Sequence, residues 1–251
     1  MNFSPHTEKE KQKMLEAIGV NSIGKLFDVI PPSLRPKSFN LPSGKSEFEV
    51  MEELRGLARK NASSLINFVG GGFYDHYIPA AVDSLASRPE FYTAYTPYQP
   101  ECSQGWLQAI YEYQTIICEL TGLDVSNASL YDGGTALYEA LMMAVRLTGR
   151  KKVIVDSGVS LIYRTMLYTY TSNLSIEFIE TPVVHGQSCR EEIYKHLDDK
   201  TAAVILQNPN FFGGVDDFSD IVEKTHAKGA LGIASVYPVS LGMLKSPAEM
   251  G

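Results

Sequence analysis

The chain has 251 residues, 44% of them hydrophobic and 20% charged, with a formal net charge of −7 at pH 7. That length can bury a sizeable core as one large α/β domain or two modest ones, and the composition excludes a disordered or collagen-like polymer. The acidic balance excludes a nucleic-acid backbone as partner, because such binding needs clustered Lys and Arg, and it leaves small molecules and proteins.

The opening residues Met1 to Lys13 are too charged for a secretory signal. No apolar run approaches the roughly 20 residues needed to span a bilayer, so the expectation is a cytoplasmic protein without membrane contact. Cys102, Cys118 and Cys189 show no metal-binding or redox spacing and read as reduced thiols.

Thr7-Glu8-Lys9-Glu10 is a capping box, and Gly19 closes the helix that it starts. Ile23 to Ile30 reads as a second short helix stopped by Pro31-Pro32. Ser33 to Gly44 is a polar, proline-containing connector. Ser46-Glu47-Phe48-Glu49 caps the next helix, with Phe48, Met51, Leu54 and Ala58 as its apolar stripe. A long helix over Ser103–Leu120 carries Trp106, Ile110, Tyr113, Ile117 and Leu120 at three- or four-residue spacing, a pattern expected to face the core, with Gly122 as its C-terminal cap.

From Ala128 the rhythm changes. A helix over Ala136–Leu147 ends at Gly149. Short apolar runs then follow at Val153–Val155, Ile176–Ile179, Ala203–Leu206 and Leu231–Ala234. Helical stretches at Tyr163–Thr171, Ser188–Leu197 and Phe218–Ala227 separate them, the second capped by Ser188-Cys189-Arg190-Glu191. Such alternation predicts βαβ units and a parallel sheet covered by helices on both faces, with right-handed crossovers. The rhythm breaks off before Gly251, so the sheet is expected to be incomplete, either in a fragment or in a chain that a partner completes.

Several segments could carry chemistry. Gly70-Gly71-Gly72, after an apolar run, is either a backbone nest for an anion or a turn passing close to another segment. His76, inside Phe73-Tyr74-Asp75-His76-Tyr77, reads as a partly buried structural histidine. Leu130-Tyr131-Asp132-Gly133-Gly134-Thr135 opens a helix, where Asp132 either caps the first turn or competes with an anion drawn by the helix dipole. The most informative stretch is Phe91-Tyr92-Thr93-Ala94-Tyr95-Thr96-Pro97-Tyr98-Gln99-Pro100-Glu101. Its prolines fix an extended loop presenting hydroxyls and an amide, suited to orienting a small polar ligand or to packing at a subunit interface.

At these segments the residues become recognisable. Thr93 to Glu101, Ser103-Gln104-Gly105, Glu112-Tyr113-Gln114, Tyr74 to Tyr77, Ser129 to Gly133, Gln207-Asn208-Pro209-Asn210-Phe211-Phe212-Gly213, Pro238 to Gly242 and the opening Pro5-His6-Thr7 together resemble the glycine cleavage system P-protein, in order along nearly the whole chain. The resemblance implies a fold type I pyridoxal-phosphate-transferase-like large domain: α/β, mostly parallel, helices on both faces, its C-terminal part missing. It places a helical N-terminal arm and connector at 1–62 and the partial large domain at 63–251.

The resemblance is to the alpha-type subunit 1 of glycine dehydrogenase (decarboxylating, aminomethyl-transferring), which works in an α2β2 heterotetramer and is not active alone. The beta-type subunit then holds the pyridoxal phosphate, and this chain contributes no cofactor-binding or metal-binding residue. Decarboxylation of glycine would pass its aminomethyl group to the lipoylated H-protein. Tyr95 and Tyr98 are the implied catalytic residues, with Thr93, Thr96 and Gln99 lining the substrate site. The sequence agrees that cofactor chemistry is not run here alone. Ser235-Val236-Tyr237 stands where a carboxylate is expected beside a pyridinium, and no Asp-x-His-Lys occurs. Asp156-Ser157-Gly158-Val159-Ser160 departs from the His-Pro usual at that strand end. The alternative is a non-catalytic pseudo-subunit that stabilises or regulates its partner.

Overall fold

The computed structural model describes residues 5–251 apart from 39, 67, 69, 71–73 and 93–95, and for Tyr92 the backbone alone. Two compact units emerge, Met1–Ile66 and Asn67–Gly251.

In the first unit, α1 (Glu8–Ile18) and α2 (Glu47–Ala58) both begin with capping boxes. The Glu10 carboxylate accepts from Thr7 N at 2.7 Å while Thr7 Oγ1 accepts from Glu10 N, and Ser46 and Glu49 repeat the arrangement. Gly19, at φ +83°, ends α1 in the left-handed conformation that a side chain would disfavour. The helix expected over 23–30 is instead a 3-10 turn, Ile23–Phe27, followed by another at Pro32–Leu34. Eight residues closed off by two prolines are too few to sustain an α-helix without packing support. No described residue of this unit is buried.

The second unit opens with two short helices, α3 (Ala80–Ala86) and α4 (Pro89–Tyr92), then α5 (Gln104–Thr121) and α6 (Gly133–Thr148). There follow β1 (Lys152–Asp156), α7 (Leu161–Tyr170), β2 (Glu177–Thr181), a small antiparallel hairpin of β3 (Val183–Val184) and β4 (Gln187–Ser188), α8 (Arg190–His196), β5 (Thr201–Asn208), α9 (Ser219–Ala227) and β6 (Leu231–Val236). The four main strands form one parallel sheet in the order β2-β1-β5-β6.

Period-two alternation sends side chains to two cores. Val153, Val155 and Ile205 pack with Leu137 and Leu141 of α6 and Leu167 of α7. Ile154, Val204 and Leu206 face the other way, onto Ile193 of α8, Ile221 of α9 and Phe218. Each fully buried aliphatic side chain contributes about 1.5–3 kcal/mol. All eight residues of β5 are buried, as expected of a central parallel strand with helices on both sides.

Arg190 ties the second layer together. It forms a fork with Asp216 at 2.9 and 3.0 Å, and its Nε donates to Asp220 at 2.8 Å. Tyr194 donates to the same Asp220 oxygen at 2.6 Å, and burial together with that carboxylate pushes the tyrosine up to about 12, keeping it a donor. These contacts set the pose of α8, and the expected capping box at its start is absent: Ser188 belongs to β4, and Cys189 makes no side-chain cap.

The apolar stripe of α5 also departs from expectation. Trp106, Ile110 and Ile117 are half-buried, Tyr113 and Leu120 are exposed, and no residue of the helix is buried. Amphipathic spacing specifies a face that can pack; it does not supply the surface that covers it.

Candidate functional site

In an open parallel sheet, ligand sites form beyond the carboxyl ends of the strands. Here three segments meet at that end: the 156–160 turn after β1, the β3–β4 hairpin, and the 207–216 segment at the end of β5. Ser160 N donates to Gln207 Oε1 at 2.9 Å, Phe211 N to the Gly158 carbonyl at 2.7 Å, and Val183 N to Ser157 Oγ at 3.0 Å. Asn210 is the hub. Its Nδ2 donates to the Gly186 carbonyl at 2.8 Å, and its Oδ1 accepts from Phe212 N at 3.0 Å and Gly214 N at 2.9 Å. Gly214 sits so close to the hairpin that any side chain there would run into the Gly186 carbonyl.

On this platform lies a pocket of ≈ 300 Å³ lined by Tyr74, His76, Pro209, Asn210, Gly213, Tyr237, Val239 and Ser240. Tyr74 and Tyr237 meet edge to face with ring centroids 5.8 Å apart, and the Tyr74 hydroxyl donates to the Phe211 carbonyl at 3.5 Å. Burial, with Tyr163 and Tyr74 nearby, raises the Tyr237 hydroxyl above its usual range, so it stays neutral as a donor. The walls are aromatic and apolar, and the Asn210 amide is already committed to backbone.

The start of α6 closes the argument about Asp132. Its Oδ1 accepts from Thr135 N at 2.7 Å, so the carboxylate itself caps the first turn. The helix start is packed against Tyr163 and Met166, which would clash with a side chain at Gly133 or Gly134. A larger cleft of ≈ 720 Å³ runs between α6 and α5, with Gly133, Ala136, Ala140 and Met143 on one wall and Tyr113 and Ile117 on the other.

Asp156, at the end of β1, is 1% exposed. Its Oδ1 accepts from Gly158 N at 2.6 Å, but its Oδ2 and the hydroxyl of Thr181, its register neighbour on β2, are buried without a protein partner. Burial raises this carboxyl above its ordinary value, against the lowering effects of the Gly158 amide, the nearby Ser188 hydroxyl and the Arg164 charge. A carboxyl raised on folding costs stability once the pH exceeds its unfolded value. Asp156→Asn keeps the shape, still accepts from Gly158 and removes the buried charge. The variant is expected to be more stable than the parent at pH 7 by on the order of 1 kcal/mol, with the gain vanishing below about pH 4. Thermal melts across that range check it; an equal gain at every pH would show that ionisation is not the cause.

Of the residues expected from sequence, Thr93 and Tyr95 lie outside the described residues, as do Gly71 and Gly72 of the glycine run. Thr96, Tyr98 and Gln99 form an exposed turn ahead of α5, where Tyr98 N donates to the Thr96 carbonyl at 2.9 Å and Cys102 N to that of Gln99 at 3.1 Å. Tyr98 is 86% exposed, and none of the three lines the pocket of Tyr74 and Tyr237. His76, expected as partly buried, is exposed at that pocket's rim. Tyr237 and Asn210 were visible in sequence only within recognisable segments. Their position directly after apolar strand runs was the available signal.

A bound pyridoxal phosphate would require a carboxylate beside its ring nitrogen and free amides for its phosphate. The strand-end pocket offers Tyr237 and a committed asparagine, and Asp132 occupies the first turn of α6. These residues do not fit the cofactor. Among the described residues no group of three or more His, Cys, Asp or Glu could hold a metal ion, and no helix is long and apolar enough to cross a membrane.

The glycine cleavage system P-protein family model matches residues 1–251. Proteins named "Probable glycine dehydrogenase (decarboxylating) subunit 1" from Oleidesulfovibrio alaskensis and Geotalea uraniireducens are 53% and 57% identical over all 251 residues, which span 57% of each relative's length. A crystal structure of glycine decarboxylase (P-protein) of the glycine cleavage system, in inhibitor-bound form, superposes with a TM-score of 0.90 at 43% identity, covering 100% of this chain and 56% of that one. Sphingosine-1-phosphate lyase of Burkholderia pseudomallei shares the fold alone, with a TM-score of 0.58 at 13% identity over 80% of this chain and 50% of its own. The fold is the fold type I pyridoxal-phosphate-transferase-like large domain in part, and the chain belongs to the glycine cleavage system P-protein family.

Proposed function

We propose that the chain is part of an alpha-type subunit of glycine dehydrogenase (decarboxylating), with residues 1–62 as its arm and 63–251 as part of its large domain. It acts in the cytoplasm, in an α2β2 assembly whose beta-type subunit holds the pyridoxal phosphate. The assembly decarboxylates glycine and transfers the aminomethyl group to the lipoylated H-protein. Thr93, Tyr95, Thr96, Tyr98 and Gln99 help to line the shared substrate site, with Tyr95 and Tyr98 orienting the substrate.

The observation that carries this reading is the strand-end pocket. It lies at the carboxyl end of the sheet with Tyr74 and Tyr237 in its walls and, among the described residues, no Asp or Glu in its lining, which supports a reading in which the cofactor is held elsewhere. Two lysines near the sheet are engaged elsewhere: Lys152 with Asp198 at 2.9 Å, and Lys245 with Asp217 at 3.1 Å and Ser219 at 2.7 Å. The exposed turn at Tyr98 also supports a site that a partner completes.

The test is glycine–bicarbonate exchange by the chain alone, by the beta-type subunit alone and by the two co-expressed. Exchange is expected only in the assembled pair. Equal exchange by the beta-type subunit alone would overturn the reading in favour of a pseudo-subunit, and borohydride fixation of pyridoxal phosphate on Lys151, Lys152 or Lys245 would overturn the cofactor assignment.

A further inference from the structure

Among the described residues two buried side-chain oxygens lack a hydrogen-bond partner, Asp156 Oδ2 and Thr181 Oγ1. They are not scattered. Asp156 and Thr181 are register neighbours at the carboxyl ends of β1 and β2, and each residue is 1% exposed. Period-two alternation points both to the face of the sheet that carries Ile154 and Ile179. Ser188 on β4, also buried, brings a further hydroxyl near the same carboxylate. The chain's own residues already shut this place off from solvent, so nothing further has to cover it. Each bare oxygen is a desolvation cost without return, and native structures rarely keep two side by side. We infer that one water molecule is bound between Asp156 Oδ2 and Thr181 Oγ1 and joins the ends of β1 and β2.

The spacing suits water. Paired strands lie about 4.8 Å apart, and a water making two hydrogen bonds of about 2.8 Å at its tetrahedral angle joins oxygens about 4.5 Å apart. The two oxygens are not bonded to each other, so a proton shared directly between them does not account for the pair. Nor does a calcium ion, which takes about 6–8 oxygen ligands, where the place offers a single carboxylate and the hydroxyls of Thr181 and Ser188. The hydrogen bonds balance. The water donates to Asp156 Oδ2, accepts from the Thr181 hydroxyl and has its second proton for Ser188 Oγ, which makes up the roughly three bonds usual for a buried water. At the same joint Ser157 N donates to the Thr181 carbonyl at 2.9 Å, and the turn that follows receives Phe211 N on its Gly158 carbonyl at 2.7 Å. The water thus fixes the 156–160 turn against β2 at the margin of the strand-end platform. The inference needs neither substrate nor cofactor and stands apart from the enzymatic reading.

Thr181→Val, which removes the hydroxyl and keeps the shape, tests it. If Thr181 only buries a bare hydroxyl, the substitution removes a cost and raises the melting temperature. With a bridging water it removes the group that holds the water on the carboxylate. The folded carboxyl is then raised further, so the loss is present above the unfolded value of about 3.9 and fades below it. Thr181→Val is expected to melt about 2–4 °C below the parent at pH 7 and closer to it at pH 4. In the Asp156→Asn background the same substitution should cost less and lose its dependence on pH. Thr181→Ser keeps the hydroxyl and should keep the water. Crystal structures of the parent and both Thr181 variants at pH 7 read the place directly. A water within about 2.6–3.1 Å of both oxygens is expected in the parent, its counterpart in Thr181→Ser, and none in Thr181→Val. A melting temperature in Thr181→Val equal to or above the parent's overturns the inference. So does a parent structure with a direct bond between the Asp156 and Thr181 side chains, with a cation in place of the water, or with neither.

Discussion

Replacing Asn210 by Ala is expected to destabilise the chain by about 2–4 kcal/mol, a large fraction of a typical domain's stability. The side chain is buried and makes three hydrogen bonds, each to a backbone group of a different residue: Gly186, Phe212 and Gly214. Truncation leaves one carbonyl and two amides without their partner at a place where close packing restricts water. Each such orphan costs about 1–3 kcal/mol, partly relieved by relaxation. Asn210→Asp discriminates further. It keeps both acceptor bonds but sets an oxygen against the Gly186 carbonyl, so its loss of stability should grow as the pH rises through the range in which the new carboxyl ionises. Denaturant titrations at two pH values would show both effects. An Asn210→Ala midpoint equal to the parent's would mean that the hairpin and the 207–214 segment are not held through this residue.

The same residue shows where sequence reading reaches its limit. Helices α1 and α2 were legible because their capping boxes are local, complete within four residues, and independent of tertiary contacts. Gly149, at φ +68°, made the end of α6 equally plain. The sheet followed from apolar runs of β-branched residues alternating with helical spacing. By contrast the pocket joins Tyr74, Asn210 and Tyr237, residues separated by more than a hundred positions at their widest. No local pattern encodes such a meeting. The β3–β4 hairpin pairs only two residues on each side, too few to register as periodicity. The false cap at Ser188 failed for a related reason, since Arg190 answers to Asp216 and Asp220 far along the chain and those contacts override the local preference. The stripe of α5, expected to face the core, is covered only in part; how much of an apolar face is covered is a property of its neighbours, which a stripe cannot report.

The largest functional effect is expected at the tyrosine-proline block. If Tyr95 and Tyr98 orient the substrate, removing only their hydroxyls leaves assembly intact and impairs turnover. Tyr→Phe keeps the ring and its packing area, so stability changes little. A hydrogen bond to a charged substrate is worth about 1.5–3 kcal/mol, which corresponds to roughly 10- to 150-fold in turnover or binding. Tyr98 carries the sharper expectation. At 86% exposure it packs against almost nothing in this chain, so a structural role within the chain would leave both activity and melting unchanged in Tyr98→Phe. In the assembled enzyme the partner must cover it if it meets substrate, and its ring should become protected from solvent labelling on assembly. Each variant is to be assembled with the beta-type subunit and assayed for decarboxylation and melting together. A tenfold or greater loss of activity at unchanged melting temperature is expected for at least one. Activity within twofold of the parent in both would remove these hydroxyls from the site and leave the block an interface.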